Sequence, residues 1–500
     1  MFSSSLPWIV FTIVTIVEAL LLTIRTSKKV RFFVGCGVIV LLAAAHSAIT
    51  VNASALFGVP FMAIGLYRLI NIIRFMYGRM HEDYLYRATH RTGRTLLIVQ
   101  AAVGVLTYGA SKTHGWSHAV LVVVGVMQLL VAAAVIVSLR VNIRRSALLP
   151  VESLPDSQLP SLSVLIPARN ETEDLDECLR TITASTYKKL EVLVLDDCSQ
   201  DRTPQIIKDF AHQGVRFVEG SEPGENWLPK NAAYEKLAHE ASGDYLLFCG
   251  VDVRIEPDTL RKLISYMQVH KLSMLSLLPS REPAVKSGSI PQQIRYMWEL
   301  ALPRFLSHRP PVLSTLWVIE ASVFKKYGGM AAVRRQVVPE VYFAAKLDRA
   351  NLYAFLRAND DVQVRSVKSF AEQKATALRV RYPQLHRRPE VVLGVAAFEL
   401  GAIIGAPLLA VYGVTQHYLT AAVLGSVASL LLIVACGLLS QLMNHHFHWK
   451  YFVRSLVLMP YDLWLMHHSM YVYELDEVRW KDRNVCLPVM HSIPTLPKLP

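Results

Sequence analysis

Three stretches decide the fold of this chain: LSVLIPARNE at residues 162–171, LEVLVLDDCSQDRT at 190–203 and DYLLFCGVD at 244–252. Each is a short run of aliphatic and aromatic side chains that ends in polar residues. Similar runs occur at 215–219 and 272–278, and helix-like segments separate the runs. Near-continuous apolar strands alternating with helices indicate a mostly parallel sheet covered on both faces. Such Rossmann-like α/β sheets bind ligands beyond the carboxyl ends of their strands.

The composition outside these stretches is that of a membrane protein. The chain has 500 residues, of which 52% are hydrophobic and only 18% charged, and its mean hydropathy is +0.32. A soluble surface of this size needs more polar cover. Apolar runs of spanning length lie at residues 6–24, 32–50, 55–73, 95–112, 117–139, 391–414 and 418–442.

The distribution of basic residues predicts the orientation. The first apolar run has no basic residue before it and RTSKKVR after it, at 25–31. By the positive-inside rule, we expect the N-terminus outside and the basic segments at 74–94 and 140–145 in the cytoplasm, together with the middle domain. The net charge of +13 therefore fits an anionic membrane surface, and no nucleic acid partner is expected. A multi-pass protein of a bacterial plasma membrane is compatible with this pattern.

The chain is predicted to have four regions. An N-terminal transmembrane bundle of about five spans precedes a cytoplasmic α/β domain, two transmembrane helices, and interfacial or re-entrant helices with a cytoplasmic tail. Arg454, Pro460 and Asp462 interrupt the last apolar run, which favours an interfacial or re-entrant segment there. The expected boundaries are 1–148, 149–388, 389–443 and 444–500.

Polar clusters at two strand ends are the first candidate site. Adjacent carboxylates at the end of an apolar strand, as in Asp196 and Asp197, repel each other unless a ligand, a cation or backbone donors stabilise them. Asp201 could bind a ligand or cap the following helix, and capping is the more common role of an aspartate at this place.

Five ordered motifs carry a family resemblance. SVLIPARNE and VLVLDDCSQDRT are similar to the nucleotide-contacting strand ends of family 2 glycosyltransferases, which are inverting, nucleotide-sugar-dependent enzymes with a GT-A fold. The other three are GENWLPKNAAYEKL, DYLLFCGVDVRIEPDTLRKL and WVIEASVFKKYGGM followed by VVPEVYFAAKLDRANL. The resemblance covers about residues 160–385. It implies an α/β GT-A domain between transmembrane α-helical segments, and a hexosyltransferase activity.

The resemblance also implies site residues. Glu340 takes the place of the catalytic base, and Asp252 that of the ligand for Mg²⁺ or Mn²⁺. Residues expected to contact the UDP- or GDP-linked donor are Pro167, Arg169, Asn170, Glu171, Asp196, Asp197, Trp227, Lys230 and Arg365.

Two departures from the family pattern bear on mechanism. Gly250, Val251 and Asp252 stand where the family has Asp-x-Asp, so one carboxylate is missing and we expect weaker cation binding. On this reasoning, Gly250→Asp should lower the metal requirement. Pro339 and Glu340 replace the family's Glu-Asp pair, and glutamate can act as a general base if it reaches the acceptor hydroxyl.

The flanking spans resemble the branch of the family that glycosylates membrane lipids, so a lipid acceptor in the bilayer is expected. Arg381 and Tyr382 are at most a remnant of the Gln-x-x-Arg-Trp motif of polymer synthases, which favours non-processive, single-step inverting transfer. The alternatives are a polysaccharide synthase, a degenerate protein that only binds nucleotide or lipid, and a transporter that uses the spans.

Other polar residues in apolar surroundings have two interpretations each. Glu18 and Glu399 lie in spans and could contact a lipid head group or pair within the bundle. The histidines at 445–448 and 467–468 could bind a metal but have no acidic neighbour at ligand spacing. Arg479 and Trp480 are typical of an interfacial anchor.

Overall fold

The structure is a computed structural model. It describes most of the chain, namely residues 6–23, 28–52, 55–77, 83–112, 116–150, 152–224, 227–281, 310–444, 449–474, 478–480 and 483–484. The histidines at 445–448 lie outside the described residues. The chain forms two compact units, one of residues 1–132 and 385–432, the other of 133–384 and 433–500.

The first unit is helical. Its helices are α1 Leu6–Thr23, α2 Lys28–Asn52, α3 Ala55–Tyr77, α4 Asp83–Lys112, most of α5 Trp116–Arg145, α13 Pro389–Glu399, a π-helical turn Leu400–Ile404, α14 Gly405–Thr415 and the first half of α15 Leu419–Asn444. Phe11, Leu42 and Phe61 are buried where α1, α2 and α3 pack together.

Six helices in the described part of the chain are long and apolar enough to cross a membrane. They are Leu6–Thr23, Lys29–Val51, Gly58–Met76, His118–Arg145, Pro389–Thr415 and Leu419–Leu442. The remaining one of the seven expected runs, at 95–112, belongs to α4. The apolar part of this helix, Thr92–Val105, is shorter than the six spans. Arg87, Arg91 and Arg94 make the first half of this helix polar.

The second unit is built on a seven-stranded sheet in the order β3, β2, β1, β4, β8, β6, β9. The pairs β1/β2, β1/β4, β2/β3 and β6/β9 are parallel, whereas β8 runs antiparallel to both β4 and β6. The mostly parallel GT-A sheet expected from the sequence is confirmed. Its strands are β1 Leu162–Ala168, β2 Leu190–Asp196, β3 Val215–Glu219, β4 Tyr245–Cys249, β6 Met274–Leu278, β8 Leu316–Glu320 and β9 Tyr353–Arg357.

In the described part of this unit, two small sheets and further α-helices accompany the large sheet. The sheets contain β5 Val253–Ile255, β7 Ser280–Arg281 and β10 Val364–Ser366, and the pair β11 Arg479–Trp480 and β12 Arg483–Asn484. The helices are α6 Asp174–Thr183, α7 Thr203–Asp209, α8 Pro229–Glu240, α9 Thr259–Val269, α10 Ala321–Lys326, α11 Glu340–Asp348, α12 Phe370–Gln384 and α16 Trp449–Glu474.

Both faces of the large sheet are buried, as near-continuous apolar strands require. Trp317 of β8 is fully buried and stacks on Phe248 of β4, with ring centroids 3.9 Å apart. This packing fixes the carboxyl end of β4, where the candidate site begins.

Helix α16 differs from the expected interruption of the last apolar run. It continues through Pro460 and Asp462 without a turn, so this segment does not form a re-entrant hairpin. The reason lies in its packing on α12, because the Asp462 carboxylate is paired there with Arg381. A paired carboxylate does not have to end a buried helix.

Candidate functional site

The loops after β1 and β2, residues 169–173 and 197–202, form the first part of the site; we call them the strand-end loops. The Arg169 guanidinium donates from Nη1 to the carbonyl oxygens of Asp197, at 2.5 Å, and Cys198, at 3.2 Å. The backbone N–H of Asn170 donates to Ser199 Oγ at 3.0 Å. Asn170 and Cys198 both adopt positive φ angles, of 51° and 58°. Hydrogen bonds across the two loops therefore hold an unusual backbone in place.

The two aspartates expected to repel each other lie in different surroundings. Asp196 accepts a hydrogen bond at Oδ2 from the Ser199 N–H at 3.3 Å, whereas Asp197 lines a cavity of about 350 Å³ together with Trp227 and Pro229. Both aspartates are buried. The fold thus brings together three residues expected at the donor site. They lie beyond the carboxyl ends of the strands and are Asp197, Trp227 and Arg169. Pro167 lies within β1, opposite Leu195 of β2.

Asp201 and Glu171 both form hydrogen bonds with Thr203 at the start of α7. Asp201 Oδ1 accepts from the N–H of Thr203, the first residue of α7, at 3.0 Å. The Glu171 N–H donates to Thr203 Oγ1 at 2.8 Å. Asp201 therefore accepts from the first N–H of α7, although Arg202 stands at the N-cap position itself.

Asp252 is the centre of the second part of the site, just beyond β4. Its Oδ2 accepts from Ser366 Oγ at 2.9 Å and lies 3.8 Å from Lys368 Nζ. Burial alone would raise the pKa of this carboxyl. Lys368, the Ser366 hydroxyl and Lys230 lower it by more, so the pKa of Asp252 lies below its ordinary value. Asp252 is therefore held as a carboxylate by neighbouring cations.

Gly250 has no side chain, and the Asp252 carboxylate occupies the space where a side chain would begin. A Cβ at residue 250 would lie 2.6 Å from Asp252 Oδ1, and Ser366 and Lys368 hold that carboxylate in place. An aspartate at residue 250 therefore requires the end of the Asp252 side chain to move. On this geometry we expect Gly250→Asp to disturb the contacts of Asp252, against the expectation from the sequence that it adds a metal ligand, and the activity of the variant decides between the two.

Three cations line one cavity with Asp252. They are Lys230 of α8, Lys368 after β10, and Arg379 of α12, and we call these three residues the cation cluster. The pKa of Lys230 is lowered to about 8, chiefly by burial and further by Lys368 and Arg379, whereas Glu340 opposes the shift. Like charges gathered in this way favour a bound anion.

Glu340 is the first residue of α11 and is 1% exposed. Neither carboxylate oxygen has a hydrogen-bond partner among the residues that the structure describes. An unsatisfied buried carboxylate costs free energy, and in native proteins it commonly marks function. Glu340 does not line the cavity of the cation cluster itself, but Val337, three residues before it, does.

Arg365 is not beside Asp252. Its side chain pairs with Glu256 at 3.1 Å, and the neighbouring Ser366 contacts Asp252 instead. Successive side chains on a strand point to opposite faces, so the two residues of β10 cannot both face the site. Sequence reasoning missed Ser366, Lys368, Arg379 and Tyr473, and the alternation in VRSVK at 364–368 could have indicated the first two.

The residues around Asp252 fit a divalent cation poorly. Within the described ranges, no group of three or more His, Cys, Asp or Glu side chains could hold a metal ion. One oxygen of Asp252 already accepts from Ser366 and faces Lys368. Divalent cations prefer several oxygen ligands, so Asp252 offers one ligand and the binding of Mg²⁺ or Mn²⁺ stays a prediction.

Other candidate residues have structural partners. Glu18 forms a buried ion pair with Arg68 of α3, with Oε2 and Nη2 2.5 Å apart, so the paired interpretation applies. Arg381 is paired with Asp462. The His467 ring contacts the carbonyl oxygen of Leu463 in its own helix through Nδ1. Glu399 is fully buried in the first unit.

The strand-end loops and the mostly parallel sheet are typical of α/β domains that bind a ligand at the carboxyl ends of their strands. Residues 163–338 match the model of the family "Glycosyl transferase family 2". The resemblance inferred from the motifs is confirmed for residues 163–338, which are similar to family 2 glycosyltransferases.

Curated relatives match this domain over part of their length. Glycosyltransferase AglE of Haloferax volcanii is 34% identical over 113 residues, which is 22% of this chain and 36% of that protein. The 4,4'-diaponeurosporenoate glycosyltransferase of Staphylococcus haemolyticus is 31% identical over 121 residues, 24% of this chain and 32% of that protein. The chain thus spans about a third of the length of either relative.

Among solved structures, the mannosyltransferase PcManGT from Pyrobaculum calidifontis, in complex with GDP-Man and Mn²⁺, covers 71% of this chain and 99% of its own. It is 16% identical, with a TM-score of 0.43.

Proposed function

We propose that this protein transfers a sugar from a UDP- or GDP-linked donor to a membrane lipid in a single inverting step, without processive extension. The observation that carries the proposal is the cation cluster around Asp252, beside a buried Glu340. A leaving nucleoside diphosphate develops negative charge as the glycosidic bond breaks, and fixed cations stabilise that charge. The three cations that line this cavity have the charge that such a step requires.

The strand-end loops would hold the nucleotide. Asp197 and Trp227 line one cavity, and a carboxylate and an aromatic ring are groups that bind the polar edge and the face of a base. Lys230 follows the same loop and belongs to the cation cluster. The donor would therefore extend from the first cavity to the second, with its diphosphate at Lys230.

Glu340 would serve as the general base for a hydroxyl acceptor. Its carboxylate oxygens have no hydrogen-bond partner among the described residues, so they can take a proton from a hydroxyl that reaches them. The acceptor oxygen would then attack the anomeric carbon as the diphosphate leaves. A polyprenyl phosphate is already ionised, so for such an acceptor Glu340 would only orient the sugar.

The apolar helices of the chain support a lipid acceptor. Six helices in the described part of the chain are long and apolar enough to cross a membrane, and the basic segments beside them favour a cytoplasmic domain. A relative is named 4,4'-diaponeurosporenoate glycosyltransferase. We therefore propose a lipid of the bilayer as acceptor at the cytoplasmic face.

The first experiment establishes the donor. The detergent-solubilised protein is screened by thermal unfolding against a panel of nucleotide sugars, since a ligand that binds the native state raises the unfolding temperature. We expect a UDP- or GDP-sugar to raise it. If no donor does so, and no transfer or donor hydrolysis is detected, the protein is a degenerate binder and the proposal fails.

The second experiment tests the base. With a lipid that presents a hydroxyl, Glu340→Gln should reduce turnover by about 10²–10⁴, with little change in donor affinity, because the shape is kept and the base is lost. Glu320→Gln is the control, since Glu320 ends β8 at the opposite edge of the sheet. With a phosphate acceptor the loss should be mild. A near-normal rate of Glu340→Gln with a hydroxyl lipid would exclude Glu340 as the base.

A further inference from the structure

Helix α12 contains a proline at its C-terminal end. In an α-helix each N–H donates to the carbonyl four residues earlier, and proline has no N–H to donate. Pro383 therefore removes the helical donor for the carbonyl of Arg379, a member of the cation cluster.

Helix α16 supplies a hydroxyl at this place. The Tyr473 hydroxyl donates to the carbonyl oxygen of Arg379 at 2.5 Å. One turn earlier on α16, Ser469 Oγ donates to the carbonyl oxygen of Leu378 at 2.5 Å and accepts from the Tyr382 N–H at 3.0 Å. Two hydroxyls of α16 thus bind the backbone of the last turns of α12.

An ion pair holds the two helices together at the same level. The Arg381 guanidinium donates from Nε to Asp462 Oδ1 at 2.9 Å, and a second contact joins its Nη2 to Oδ2. Both side chains are buried. Asp462, Ser469 and Tyr473 are spaced by seven and four residues, the spacing of one helix face. One face of α16 therefore binds the part of α12 that contains Pro383.

The last turns of α12, which α16 binds, face the candidate active site. Thr376, Arg379 and Val380 of α12 line the cavity of the cation cluster, and so does Tyr473. Arg379 is close enough to Lys230 to lower the pKa of its ammonium group. A shift in the last turns of α12 would therefore move a positive charge within this cavity.

We propose that Tyr473 is a positioning residue of the candidate active site, whose hydroxyl replaces the donor missing at Pro383 and so fixes Arg379 where a phosphate group binds. The phosphate group belongs either to the donor diphosphate or to a phosphorylated acceptor. This inference rests on the proposed function. It makes α16, whose Tyr473 lies 94 residues after Arg379 in the chain, part of the candidate active site.

The test is a double-mutant cycle of Tyr473→Phe and Pro383→Ala. Tyr473→Phe keeps the ring in the cavity but removes the hydroxyl, and it should weaken phosphate-group binding about threefold to tenfold, the usual range for one hydrogen bond. Pro383→Ala gives the Arg379 carbonyl an N–H within its own helix. In the double variant the binding should return close to that of the parent Pro383→Ala protein. Tyr471→Phe, at a position of α16 that is 60% exposed, is the control and should change nothing.

Two measurements separate the two sources of phosphate. Calorimetry with UDP or GDP alone reports the donor diphosphate, and the KM for a polyprenyl phosphate reports the acceptor. A higher Kd for the nucleotide places Arg379 at the donor, and a higher acceptor KM with unchanged nucleotide Kd places it at the acceptor. If Tyr473→Phe matches Tyr471→Phe in both, or lowers only the unfolding temperature, the inference is wrong.

If binding does change, the double-mutant cycle also shows whether the Tyr473 hydroxyl acts through the Arg379 carbonyl. Equal losses for Tyr473→Phe with and without Pro383→Ala would show that the hydroxyl does not act through the Arg379 carbonyl, and this would overturn the inference. Failure of the wild-type protein to bind any nucleotide or to transfer any sugar would instead count against the proposed function.

Discussion

The strand-end loops and the cation cluster stabilise their charges in different ways. In the loops, Arg169 donates to backbone carbonyls and Asp196 accepts from a backbone N–H, so the polar groups define the shape of the backbone. In the cation cluster, three positive groups share a cavity with the single carboxylate Asp252. Burial lowers the pKa of Lys230, and the neighbouring cations lower it further. The first region makes most of its hydrogen bonds within the protein, although Asp196 Oδ1 has no partner among the described residues, whereas the second region has excess positive charge.

This difference shows where ligand binding can supply free energy. A bound anion gains little from groups that already hydrogen-bond to the protein, but it relieves repulsion among clustered cations. We therefore expect the loops to give specificity for the nucleotide and the cation cluster to give affinity for the diphosphate and stabilisation of the leaving group.

The largest effect should come from a change at Gly250, because it disturbs the carboxylate that the cations surround. In Gly250→Asp, the new Cβ would lie 2.6 Å from Asp252 Oδ1, and we expect turnover to fall about a hundredfold, on the scale of one lost charge-assisted contact. The measurement is turnover as a function of Mn²⁺ or Mg²⁺ concentration. Gly250→Ala, which adds the same Cβ without a carboxylate, should lose a similar factor. An activity of Gly250→Asp above wild type at low metal would show that the steric argument is wrong.

A smaller effect is expected in the strand-end loops. Asp197→Ala removes one acceptor from the cavity that Trp227 lines, and nucleotide affinity should fall about tenfold, near 1.4 kcal/mol. Calorimetry with the nucleoside diphosphate measures this. Asp209→Ala, at the end of α7, is the control. Unchanged affinity in Asp197→Ala would mean that Asp197 is structural and that both regions of the site depend on cations alone.

The smallest effect is a pH dependence of donor binding. With a pKa lowered to about 8 in the free protein, Lys230 is mostly charged at neutral pH and loses its proton as the pH rises through 8. Diphosphate affinity, which requires the charged form, should fall about fourfold between roughly pH 7 and 8.5. In Lys230→Arg this decrease should disappear, since arginine stays protonated over the whole range. The same decrease in Lys230→Arg would assign the titration to another group.

Much of the fold could be predicted from local sequence patterns. The apolar runs that define β1, β2, β3, β4 and β6 have the pattern of buried parallel strands, and the sheet has them. The antiparallel insertion of β8 between β4 and β6 could not be predicted, because strand order depends on pairing between distant segments. The same applies to α16, where Asp462 suggested an interruption until its partner Arg381 was known.

The candidate site was predictable where its residues follow strands in recognisable motifs. Asp197, Lys230, Asp252 and Glu340 belong to such motifs. Arg379 and Tyr473 do not, because they reach the cavity through helix packing, and nothing in their local sequence reports a neighbour some 90 residues away. Arg365 is a different case, since the alternation of side chains in β10 turns Ser366 toward Asp252, and a donor contact of Arg365 stays a prediction.

The ion pair between Glu18 and Arg68 has a consequence for biosynthesis. Helices α1 and α3 are two of those long enough to cross a membrane, and an unpaired charged side chain within a spanning helix makes its insertion less favourable. Glu18 emerges from the ribosome 50 residues before its partner. We therefore expect α1 to enter lipid stably only once α3 has been made, so that the first three helices insert as one group and not one after another.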